Sequence, residues 1–99
     1  MQGHPLDIIK TNDRELFNAV DANRAMALKD GALSLKTKLL IAIALDACKG
    51  ADAGVRSLAA QALQNGVTKD EIMAALKVVN YICGAGSIYT AANGLRDIL

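Results

Sequence analysis

Residues 33–72 read LSLKTKLLIAIALDACKGADAGVRSLAAQALQNGVTKDEI, and their phasing decides the fold. Ser34 is a good N-cap for a helix over Leu35 to Lys49. Leu39 to Leu45 leave that helix no polar face over two turns, which calls for burial on every side. Few helices of a 99-residue chain can be enclosed by the chain itself, so a subunit interface is expected to cover the remaining face. Gly50 ends the helix, and Asp52 is placed to cap the next, about Ala53 to Asn65. Val55, Leu58, Ala59, Ala62 and Leu63 follow the i, i+3, i+4, i+7, i+8 template. Asn65-Gly66 closes this helix. Thr68 with Glu71 forms a capping box, and Val67 can staple onto Ile72.

Outward from this stretch the pattern stays helical. Asn12 with Glu15 resembles a capping box for a helix over about Asp13 to Lys29, stopped by Gly31. Its apolar positions Leu16, Val20, Met26 and Ala27 make only a moderate stripe. After Thr68, Ile72, Leu76, Val79 and Cys83 share one face, Gly84-Ala85-Gly86 breaks the helix, and Ser87 is placed to cap a last one. Residues 1–10 read as a flexible arm. The expectation is an all-α bundle of about five helices in one domain spanning residues 1–99.

Hydrophobic residues make up 53% of the chain, much of it Ala and Leu, and there is no Trp. Eleven Lys/Arg against ten Asp/Glu give a net charge of +1 with no basic cluster, which argues against nucleic acid. The longest unbroken apolar run, Leu39 to Leu45, is far short of the ~20 residues that cross a bilayer. The N-terminus lacks the apolar region of a signal peptide, so a cytoplasmic location is expected. Nothing in the sequence calls for a cofactor or a metal. The one histidine, His4, lies in the arm, and the two cysteines belong to no C-x-x-C.

The order and spacing of three segments resemble the carboxymuconolactone decarboxylase family, which includes the AhpD-type alkylhydroperoxidases. ALQNGVTKDEIMAAL looks like the family's Gly-x-Thr turn and Glu-Ile helix start, LSLKTKLLIAIAL like its preceding helix, and GAGSIYTAANGL like its Gly-rich break and final helix. The match covers about Leu33 to Leu95. The resemblance implies an all-helical fold assembled as trimers or hexamers, with redox members using a Glu, a C-x-x-C and a His. Anchored on Gly66, those positions fall on Leu39, on Ala51 and Gly54, and on Leu58. A three-residue slip makes Cys48 the first cysteine but puts Ala51 and Lys36 at the other positions, so no register restores the site. Thiol peroxidase chemistry of the standard kind is not expected.

The remaining chemistry rests on a few residues. Cys48 reads as a small buried residue, the usual state of a free cysteine. Alternatively it is a displaced redox thiol that meets Cys83, if the second and fourth helices run parallel and their C-terminal ends come together. Asp46 is either a paired residue near an interface or a relocated acid. Arg56 is either an ion-pair residue or a contact for an anion at a pocket mouth. Tyr81 and Tyr89 read as amphipathic packing residues, and Lys38 and Lys77 as solvated. The favoured expectation is an oligomeric binding or accessory protein that takes a small apolar or anionic ligand in the now apolar pocket at Leu39, Ala51, Gly54 and Leu58. The alternative is a family enzyme, a peroxide reductase or decarboxylase, with its site moved to Cys48, Cys83 or Asp46.

Overall fold

A computed structural model describes residues 4–99. Its elements are six helices: α1 (Asp7–Asn12), α2 (Arg14–Leu28), α3 (Leu35–Lys49), α4 (Asp52–Gln64), α5 (Lys69–Cys83) and α6 (Ala85–Leu95). Contacts divide the chain at Asp30 into two compact units.

In the second unit, α3, α4, α5 and α6 enclose a core of one-turn repeats. These are Leu39, Ile43 and Ala47 on α3, Val55, Ala59 and Ala62 on α4, and Ile72, Leu76 and Val79 on α5, closed by Ala91 and Leu95 of α6. Two helix starts follow the expected side chains. The Ser34 hydroxyl accepts from the Thr37 amide at the head of α3. At the head of α5 the Glu71 amide donates to the Thr68 hydroxyl while the Thr68 amide donates to the Glu71 carboxylate. That second bond, first of all, holds the Glu71 carboxyl below the ordinary glutamate range, with Lys36 adding a smaller pull and desolvation opposing. Val67 and Ile72, the expected staple pair, are both buried.

Within this second unit, two starts differ from expectation. Asp52 does not stand ahead of α4 but is its first residue, and its carboxylate accepts from the Ala53 amide next door. Ser87 does not cap α6: the helix already starts at Ala85, because Gly84 takes φ +88° and supplies the break by itself. Ser87 is left buried in the first turn, its amide donating to the Gly84 carbonyl. On α3, as expected, the chain itself leaves one side uncovered. Its inner face is buried, but Ile41 and Leu45 are 43% and 59% exposed, since α4, α5 and α6 cover one side of it only.

At Gly94, α6 approaches α4 closely: an added Cβ would stand 2.6 Å from the Asp52 carbonyl oxygen and 2.8 Å from the Val55 side chain.

The first unit, described over residues 4–30, is a pair of contacting helices. Of the arm expected over 1–10, residues 1–3 lie outside the described residues, and Asp7–Asn12 is helix α1 instead. Asp13 joins the pair, its amide donating to the Ile9 carbonyl and its carboxylate accepting from the Leu16 amide. It takes the capping place assigned to Asn12, whose side chain is drawn back onto the Ile8 carbonyl. Lys10 and Arg14 lie 5.5 and 5.9 Å from the Phe17 ring centre, an arrangement that favours both cations. Neither helix has a buried residue.

Candidate functional site

The positions singled out on α3, at the head of α4 and along it carry no reactive group. Leu39 is fully buried and Leu58, Ala51 and Gly54 are half-buried. Asp46, half-buried on the same face of α3 as Leu39, turns its carboxylate onto Gly54: an added Cβ there would collide with Asp46 Oδ2. A side chain at position 54 is excluded unless Asp46 moves. Arg56 has an ion-pair partner within the chain. Its Nη1 donates to Asp97 Oδ2 at 3.2 Å, an exposed pair of small energetic weight.

The second place is the far end of α3 and α5. Cys48 and Cys83 form a disulfide, with Cα atoms 5.8 Å apart and 35 residues between them in sequence. Both cysteines are exposed, which corrects the reading of Cys48 as a small buried residue. The reason is length. Buried residues stop at Ala47 on α3 and at Val79 on α5, and each helix runs on beyond them to carry its sulfur. The parallel run of alternate helices is the signal that anticipates this pairing. Each cysteine is followed closely by a left-handed glycine, Gly50 at φ +79° and Gly84 at +88°. Once reduced, both thiols would sit at the negative ends of helix dipoles, which disfavours the thiolate.

Beside this end an open apolar groove of about 540 Å³ runs between α5 and α6, floored by Met73, Leu76 and Ile88 with Lys77, Asn80 and Tyr89 around it. Tyr89 and Tyr81 are 76% and 84% exposed, so neither is a packing residue within the chain, against expectation. A second cavity, about 350 Å³, lies within the α1–α2 pair and includes His4, Phe17 and Arg24. Sequence reading missed both, because each depends on how two helices lean together. Gly84 and Gly86 have open space where a Cβ would go, and Gly54 and Gly94 are the crowded ones. Among the described residues no group of three or more His, Cys, Asp or Glu is placed to hold a metal. No helix among them is long and apolar enough to cross a membrane.

Residues 14–97 match the carboxymuconolactone decarboxylase family. The chain belongs to that family. The crystal structure of apo-lpg0406, a carboxymuconolactone decarboxylase family protein from Legionella pneumophila, is similar at 30% sequence identity with a TM-score of 0.87. The likeness covers 92% of this chain and 81% of that one. No curated protein matches the chain.

Within this carboxymuconolactone decarboxylase family member, the α3–α4 face offers one carboxylate, Asp46, and no thiol or imidazole. The sulfurs stand elsewhere, at the ends of α3 and α5.

Proposed function

We propose that this family member is a two-electron thiol–disulfide couple whose reactive pair is Cys48 and Cys83. The observation that carries the reading is an exposed disulfide between two helix ends. Exposed disulfides are the ones that exchange readily, and in a cytoplasmic protein, the location expected here, a disulfide is transient and redox-active. Electrons and protons balance simply. A dithiol reductant attacks one sulfur, passes through a mixed disulfide and leaves as its own disulfide. Cys48 and Cys83 are left as two thiols, having gained two electrons and two protons. Run in reverse, the pair reduces another disulfide. Direct peroxide reduction is the weaker chemistry here, because Leu39 and Leu58 replace the proton-moving groups and the helix dipoles disfavour the attacking thiolate.

The couple is carried on a homo-oligomer, for which trimers or hexamers are the family's implied forms. Support comes from α3, whose outward Ile41 and Leu45 remain exposed in the single chain. A solution mass several times 10.4 kDa is expected, and a stable monomer would sink this part of the reading.

The test of the couple is a redox titration of the native protein against dithiothreitol, followed by intact mass and helical circular dichroism. A reversible gain of two hydrogens with helix content kept is expected. Thiols that appear only in denaturant would make the disulfide a fixed crosslink. The reading left standing would then be an oligomeric accessory protein.

A further inference from the structure

We propose that the groove between α5 and α6 is a binding site for a small apolar monocarboxylate, with the chain of the ligand on Met73, Leu76 and Ile88 and its carboxylate at Lys77. The groove shares no residue with the α3–α4 face or with the disulfide, and the inference does not rest on the redox reading above.

Charge decides the class of ligand. From Ile72 to Leu95 the chain carries one charged residue, Lys77. Among the described residues no carboxylate pairs with it. Its ammonium is exposed at the side of an apolar floor, and no acidic residue lines the groove. The charge that complements this site is therefore a single negative one. Asn80 and Tyr89 add an amide and a hydroxyl that can donate to a carboxylate. An anion of higher charge would leave its surplus over apolar side chains without a partner, which is costly. A cation would meet Lys77, and a neutral apolar molecule would leave the donors unused.

Size and shape limit the ligand further. The groove holds about 540 Å³, inside the roughly 300–1,000 Å³ of small-molecule sites. Met73 to Asn80 spans about 10 Å along α5 at 1.5 Å per residue, which suits an extended chain of about eight carbons. Met73 is 36% exposed, and its flexible thioether can shape itself to an alkyl or aryl body. Gly84 alone separates the two helices, so both walls belong to consecutive elements of one unit.

The test is a titration of the isotope-labelled full chain with octanoate at neutral pH, followed by amide NMR. Saturable shifts are expected at the Asn80 side chain and the Ala85 amide, with a dissociation constant on the order of 1 mM. Octanol, equal in chain length and uncharged, should bind about three- to tenfold more weakly, and Lys77→Gln should weaken octanoate by a similar factor. Lys77→Arg should restore octanoate binding to within about twofold, since it keeps the charge. Octanol that binds as tightly as octanoate, or an inert Lys77→Gln, overturns the proposal. Shifts centred on Leu39 and Leu58 place the ligand on the α3–α4 face and overturn it too. So does the absence of any shift at Asn80 up to about 20 mM octanoate, whether the groove is then empty or closed by another chain. None of these outcomes touches the dithiothreitol titration of Cys48 and Cys83.

Discussion

Gly94 is a residue whose smallness is demanded by the fold. With 2.6 Å from its added Cβ to a carbonyl oxygen of Asp52, the neighbour that must yield is backbone. Gly94→Ala should therefore cost about 1–3 kcal/mol, read as a lower urea midpoint, and an unchanged midpoint would show that α6 shifts freely. Gly54 is crowded differently, since the atoms in its way belong to a side chain that can rotate. Gly54→Ala should lose stability in the parent chain and lose less once Asp46→Ala has emptied the space. A double-mutant cycle without coupling would mean the two residues do not share that space.

At the level of the element, the heads of α3 and α5 are readable from sequence because each depends on contacts within four residues. Ser34 and Thr68 name their helices correctly for that reason. Asp13 and Asn12 are equally good caps in composition, and the choice between them falls to α1, a helix with no buried residue to announce it. Thr68→Ala should destabilise the protein by about 1 kcal/mol through loss of the cap. The partner carboxylate adds a pH dependence. Glu71 has a lowered folded pKa, so its contribution is present above the ordinary glutamate range and is lost as pH falls through the lowered value. Wild type should therefore be more stable than Glu71→Gln at neutral pH, and the two should converge in acid. A difference that persists undiminished at low pH would assign the effect to something other than the carboxylate.

For the whole molecule, family and helical class follow from the order of segments, whereas the reactive pair does not follow from any local motif. Cys48 and Cys83 are ordinary residues in their own turns, and only the parallel placement of α3 and α5 makes them neighbours. The two grooves likewise belong to relations between helices. Cleaving a crosslink that spans 35 residues should lower stability by about 3–4 kcal/mol on chain-entropy grounds. Urea unfolding with and without reductant measures this, and coincident curves would show that the crosslink constrains the unfolded chain little.

The bond between Cys48 and Cys83 also closes a covalent ring that contains all of α4 and the exposed turn at residues 65–66. A single protease cut in that turn would leave the oxidised protein in one piece by mass, still threaded through its two sulfurs. The same cut on the reduced protein would release two polypeptides. Limited digestion can thus report the redox state of a population without any thiol reagent, and the ratio of whole to halved chains counts how many rings were shut.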